Sequence, residues 1–387
     1  MDCRENSLNE NWIILFFFLL PLIPPLAYIS LLVLSVNWFR KGKKIDFRKY
    51  LDLTHPNLYL MILTITAFLS AIFSDYRLLS LGSFILFLFF PLTYFFFYEH
   101  IGAVSKERLF WGISLSMLTI SLLAILIKIS GINLEYRFEF LHLYFSGEDG
   151  IWTTLGHPNN LASYLVMALP LVLIPGLSKK RYILVFFSLG VGVSALILST
   201  SLGGIAAFGV SFLIFLLVRR KRLGLALLFA FVALCIMRMD LIQKVIEGYS
   251  TMEPRFYTWR HVFPQIFLDR PLVGTGLGVY SEVSRLYGTS NLILYGSTHN
   301  IYLRVLVELG SLGFIAFALF LFTLFRRAIF YLHCHSLYGL EGLLGGCIFS
   351  LLGVLLQGMV EDVIHIVPLG FFFWSIAGVS MGLIKEQ

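Results

Sequence analysis

Apolar runs of near-bilayer length recur along the whole chain, and no other feature restricts the fold as much. They fall near 12–36, 58–74, 78–98, 108–130, 159–177, 182–199, 202–218, 223–239, 300–325, 342–360 and 363–384. About 20 apolar residues span the hydrocarbon core as a helix, and there every backbone N–H and C=O has to be paired within its own segment, which a helix achieves. The runs do not alternate polar and apolar residues as barrel strands do. The chain is therefore expected to be all-α, one polytopic integral membrane domain over 1–387. The count is 11–12 transmembrane helices, because Pro21, Pro24 and Pro25 make the first run either one kinked helix or a tight pair. That run has no basic flank before it and no small-residue cleavage site after it, so it reads as a span and not as a signal peptide.

Composition agrees. Of 387 residues 58% are hydrophobic and only 13% charged, too few to cover a soluble domain of this size. The net charge of +7 does not point to nucleic acid, because the basic residues gather in alternate short connections between the runs. Arg40, Lys41, Lys43, Lys44, Arg48 and Lys49 come first, then Lys106 and Arg108. Lys179, Lys180 and Arg181 follow, then Arg219, Arg220, Lys221 and Arg222, then Arg326 and Arg327, then Lys385. Such connections belong on the cytoplasmic side. Cys3, Cys235, Cys334 and Cys347 form no CxxC pair, so no disulfide framework is implied. His333-Cys334-His335 offers donors without further ligands nearby, and no metal is expected.

The opposite connections face outward, and two are long: 131–158 and 240–299. Long loops among tight turns are where function is expected, and the second reads as carrying interfacial helices. His299 and Asn300 stand at the outer start of a long apolar helix. At 100° per residue His299, Leu303, Leu306, Gly310 and Gly313 share one face, so a histidine sits at the mouth with glycines beneath it that would let a neighbouring helix approach. The helix N-terminus would turn free N–H groups toward the same mouth and favour an anion; the alternative is a capping histidine. Arg304 and Glu308, four residues apart, can neutralise each other within the membrane. From Arg255 to Phe267 the apolar residues follow helical spacing, with Arg255 on the edge of the stripe beside Trp259 and Val262. A guanidinium there, at the lipid boundary, can grip phosphate bidentately or simply anchor the helix.

Gly274, Gly276 and Gly278 lack the spacing of a nucleotide loop and read as a turn packed on the membrane surface. His157, Pro158 and Asn159 suit a helix start, His157 being a turn residue or a ligand contact. Glu361 and Asp362, with His365 close by, could bind a metal, act as a base or form a solvated turn.

These residues together resemble the O-antigen ligase and polymerase superfamily of bacterial membrane glycan transferases, closest to the ligase branch. Four stretches carry the likeness: Gly156-His157-Pro158-Asn159-Asn160-Leu161-Ala162; Thr200-Ser201-Leu202-Gly203-Gly204; Arg255 to Trp259 leading to Asp269-Arg270-Pro271-Leu272-Val273-Gly274-Thr275-Gly276-Leu277-Gly278; and His299-Asn300-Ile301-Tyr302-Leu303. The ligase branch is marked by His followed by Asn, Ser or Gln, nine residues, then Gly-x-x-Gly, Tyr or Thr; here His299-Asn300 leads to Gly310-Ser311-Leu312-Gly313.

The resemblance implies a metal-independent, inverting transfer of an O-antigen-like glycan from undecaprenyl diphosphate to an acceptor hydroxyl, lipid A core for a ligase. It implies no cofactor and a site on the periplasmic face of the bacterial cytoplasmic membrane. Arg255 would hold the diphosphate and His299 would deprotonate or orient the acceptor. Substrate contacts from Asn300, Trp259 and Asn159 would accompany them. One position departs from the family: Leu202 stands where many members carry arginine, so a second anion contact would come from Arg260, Arg238 or Lys244. A polymerase extending the same lipid-linked glycan is the nearest alternative, and attachment to protein a more distant one. A transporter would need inverted repeats and mid-membrane charges, and no repeat is present.

Overall fold

The computed structural model describes residues 2–40, 52–138, 141–146, 151–237, 252–287, 296–334 and 340–385. Among the described residues twelve long helices coincide with the apolar runs. They are α1 (Asp2–Leu19), α2 (Pro24–Arg40), α3 (Pro56–Phe73), α4 (Arg77–His100), α5 (Lys106–Ser130) and α6 (Pro158–Ser178). The remainder are α7 (Tyr182–Leu198), α8 (Leu202–Arg219), α9 (Lys221–Met237), α10 (Ile301–Cys334), α11 (Leu340–Gln357) and α12 (Val367–Lys385). Among the described residues six of them, α3 to α6, α10 and α12, are long and apolar enough by themselves to cross a bilayer. The chain is an all-α polytopic membrane protein. The proline-rich first run resolves into two helices, α1 and α2, which turn at Leu20 to Ile23 and pack on each other; Pro24 opens the second, where its missing N–H costs no helical bond.

The bundle is organised around α6 and α12, with 89% and 83% of their spanning residues enclosed, whereas α4 has 22% and turns most of its surface to lipid. α6 packs against α11, α3 against α10, and α4 against α12. Small residues allow the last of these to be close: a side chain at Gly378 or Gly382 would collide with carbonyls of Tyr94 or Tyr98 in α4. The basic connections meet at one end, through Arg108 with Glu10 at 2.7 Å, Lys179 with Glu107 at 2.6 Å, Lys385 with Glu99 at 2.7 Å and Arg327 with Asp52 at 3.9 Å.

The opposite end departs from the sequence reading in three places. The 131–158 connection contains an antiparallel hairpin, Asn133–Phe138 with Leu141–Ser146, whose alternating sequence suits paired strands. The helix predicted from Arg255 exists, but as Met252–Tyr257 and Phe263–Asp269 joined by a π-helical turn over Thr258–Val262. The wider turn shifts the register of the faces, and Arg255 is buried, 8% exposed, rather than set at the lipid boundary. Phe256 and Leu268 carry the exposed apolar face instead.

The third departure concerns the glycines. α10 is broken at Gly310, which lies at φ 68°, so the stripe from His299 to Gly313 is not one continuous face. The turn at Gly274, Gly276 and Gly278 does not lie on the membrane surface; it enters this break. Val307 O and Glu308 O accept from the N–H groups of Thr275 (2.9 Å) and Gly276 (3.2 Å), while Ser311 and Leu312 donate to the carbonyls of Pro271 (2.8 Å) and Leu272 (3.2 Å). Those four groups on α10 would have bonded one another in an unbroken helix, so each freed backbone group regains a partner. The Ser70 hydroxyl also donates to Glu308 O, and Ser74 and Ser80 donate to the carbonyls of Thr275 and Leu277. A side chain at Gly310 would collide with the Leu272 carbonyl, and one at Gly274 with the backbone at Glu308. Gly313 faces the Leu309 side chain of its own helix, not a neighbouring helix.

Candidate active site

Four segments converge at the end of the bundle opposite the basic connections: the start of α6, the helix from Met252, the start of α10, and the turn between α11 and α12. Glu361, in that last turn, joins the other three. Its Oε1 accepts from Nη2 of Arg255 at 2.9 Å and from Nδ2 of Asn159 at 2.6 Å; its Oε2 lies 3.3 Å from Nδ1 of His299. Arg255 also donates from Nη1 to the Val360 carbonyl at 2.8 Å, and its buried Nε has no hydrogen-bond partner among the described residues. The Arg255, Glu361 and His299 side chains are 8%, 13% and 21% exposed.

Asp362 shapes the turn that presents His299. Its carboxylate accepts the backbone N–H of Thr298 (3.0 Å) and of Asn300 (3.1 Å) and the hydroxyls of Thr298 (2.6 Å) and Ser297, and pairs with Arg304 at 3.3 Å. His299 sits between these two amides at φ 48°, a region that a non-glycine residue occupies only when its surroundings impose it. Burial pushes the Asp362 carboxyl up, but Arg304 first, then His365 and the two hydroxyls, outweigh it and hold the group down at about 2. Arg304 also bonds Glu308 at 3.1 Å, the pair expected from their spacing.

The helix N-terminus is closed to an anion, contrary to expectation. Ile301 N–H donates to the Gly358 carbonyl at 2.8 Å, and Asn300 Oδ1 accepts from Tyr302 (3.0 Å) and Leu303 (3.1 Å). Asn300 thus caps α10, while its Nδ2 donates to the Met359 carbonyl at 2.9 Å. Trp259 donates from Nε1 to the Thr298 carbonyl at 2.7 Å and so braces the same turn. Arg260 is exposed, and Arg238 and Lys244 lie outside the described residues. Leu202 opens α8 behind the Ser201 cap, and a side chain at the adjacent Gly203 would touch Val360.

Two residues count for more here than their sequence signals suggested. Glu361 and Asp362 are organisers, with every oxygen engaged by protein groups, and not a solvated turn. His157 caps α6, its Nδ1 accepting the Asn159 N–H at 3.1 Å. Desolvation first, and after it the nearby charges of His299 and Arg255 working against Glu361, lower its pKa although the side chain reaches the surface. His335 of the histidine–cysteine triplet lies outside the described residues, and Cys334 is exposed.

No curated protein matches the chain. Residues 184–318 match the family model described as O-Antigen ligase. The match takes in Arg255, Trp259, the inserted glycine turn, His299 and the Gly310 break, and leaves out Asn159, Glu361 and Asp362. The segment 184–318 is thus similar to the O-antigen ligase family, and it lies within an all-α polytopic fold.

Proposed function

We propose that the protein transfers an O-antigen-like glycan from undecaprenyl diphosphate to an acceptor hydroxyl, lipid A core in the first instance, at the periplasmic face of the bacterial inner membrane. The observation that carries this reading is the convergence of Arg255 and His299 on one carboxylate, from parts of the chain 44 residues apart. A guanidinium is the side chain best shaped for a diphosphate, and an imidazole suits proton transfer near neutral pH.

In this reaction the acceptor oxygen attacks the anomeric carbon and its proton passes to His299. The carbon–oxygen bond to the diphosphate breaks, and undecaprenyl diphosphate leaves with the electron pair. A single displacement inverts the anomeric centre. Arg255 meets the charge that grows on the leaving group, so no metal is needed there. Phe256 is exposed and its ring packs edge-on against Trp259 beside the site, and an aromatic face of this kind suits a sugar ring. The interior charges, Arg304 and Glu308, are paired with each other, which suits a structural role better than a transport path.

The test is the surface glycan of a deletion strain. Long glycan left on the lipid carrier beside bare core is the expected result. Core bearing a single repeat unit would make the protein a polymerase, and an unchanged surface glycan would remove it from this step altogether.

A further inference from the structure

Arg255 meets Glu361 before it meets any substrate. The ion pair is buried, with Asn159 completing one oxygen and the Val360 carbonyl holding the other guanidinium nitrogen. A carboxylate and a phosphate compete for the same planar fork, and a diphosphate placed beside an ionised Glu361 would be repelled by it. The same carboxylate already reaches His299 through its second oxygen. A carboxylate oxygen beside Nδ1 favours the tautomer that carries its proton on Nδ1 and its lone pair on Nε2.

We propose that Glu361 is a positioning residue with two alternating duties. In the empty site it neutralises Arg255. When a lipid diphosphate takes the guanidinium, it stays with His299 alone and fixes the tautomer whose Nε2 accepts the acceptor's proton. Donor binding thereby prepares the base. No large movement is required, because one carboxylate touches both groups at once. This inference rests on the transferase reading of the same site.

The test uses the purified full chain in detergent with inorganic diphosphate and farnesyl diphosphate as probes, and Glu361→Gln as the variant. The amide removes the competing charge and presents N–H toward His299 Nδ1, which favours the wrong tautomer. Diphosphate binding, measured by calorimetry, should tighten several-fold, while kcat for glycan transfer should fall on the order of 100-fold, the scale of lost outer-shell support. Glu361→Asp, which keeps the charge, should return diphosphate affinity to the wild-type value and recover part of kcat. Weaker diphosphate binding together with lower kcat would mean a merely structural Glu361 and overturn the proposal, as would an unchanged kcat. Should the glutamine variant not fold, nitrogen NMR of the wild type decides: with diphosphate bound, His299 protonated on Nδ1 is expected, and protonation on Nε2 alone overturns the inference. Failure of the wild type to bind either diphosphate, or loss of no affinity in Arg255→Gln, would instead bring down the transferase reading itself.

Discussion

Asp362 brackets His299, accepting the backbone N–H of the residue on either side of it, Thr298 at 3.0 Å and Asn300 at 3.1 Å. The histidine is therefore held in its left-handed conformation by a carboxylate on a different helical connection, adjacent in sequence to the one that contacts its ring. Asp362→Asn should leave the chain inserted and lower transfer on the order of 10- to 100-fold, as expected when outer-shell support of a reacting group is lost. The check is kcat in reconstituted vesicles against the quantity of folded protein; an unchanged rate would show that the turn holds itself.

The same turn gives the protein an acid limit. Burial first, then Arg304, pushes His365 down to about 3, against the weaker opposing pull of Asp362; Glu308 faces it at 3.9 Å. A folded pKa below the unfolded value of 6.5 means that the unfolded chain binds the proton first, so stability is complete above pH 6.5 and falls as pH drops toward 3. Asp362 works in a lower window: its stabilisation is present above its unfolded 3.8 and lost as pH falls toward 2. Melting in detergent should therefore decline in two stages. His365→Gln should flatten the stage between pH 6.5 and 4 and weaken the lower one, since His365 also helps hold Asp362 down, and an undiminished upper stage would remove His365 as its cause.

His299→Ala should yield an inserted, folded and inactive protein, with transfer reduced by at least about 100-fold, the usual scale for a lost general base. Arg255→Lys should also weaken transfer, chiefly through a higher KM for donor, because an ammonium cannot grip two phosphate oxygens at once. Initial rates at varied donor concentration check both. Normal turnover of the lysine variant would reduce Arg255 to a packing partner of Glu361.

Metal removal should change nothing. The oxygens of Glu361 and Asp362 are already taken by Arg255, Asn159, His299, Arg304 and the 297–300 turn, so they offer no vacant ligand set. Transfer assayed after exhaustive chelation with EDTA should keep its full rate, and recovery of a lost rate by added magnesium or manganese would contradict the reading.

Gly310→Ala should cost the fold. A methyl group there meets the Leu272 carbonyl and forces an L residue to a φ of 68°, so destabilisation of several kcal/mol is expected from overpacking and backbone strain together. Yield of inserted protein and melting temperature report it. Gly313→Ala should also destabilise, because a methyl there meets the Cβ of buried Leu309, but without the added strain of a left-handed backbone.

The spans were legible because hydrocarbon demands them: a run such as 58–74 has few structures open to it in a bilayer, and it became Pro56–Phe73. Arg255 and His299 were legible as residue types at one rim. Their meeting point was not. Nothing local in the sequence joins Glu361 to residues 106 and 62 positions earlier, and an acidic pair after a span reads equally well as a wet turn. The break at Gly310 was hidden for a different reason: Gly-x-x-Gly fits a continuous helix, and only the arrival of the 271–278 segment, distant in sequence, makes an interruption affordable. The π-helical turn at Thr258–Val262 likewise leaves the apolar spacing intact while rotating Arg255 inward.

The splint across α10 is costly to open. Lifting the segment 271–276 would surrender four backbone hydrogen bonds together, and every backbone group freed away from water has to find a new partner. It is a wall, not a door. In the transfer proposed above, the carrier-linked donor would have to come to His299 by a route that leaves this segment seated.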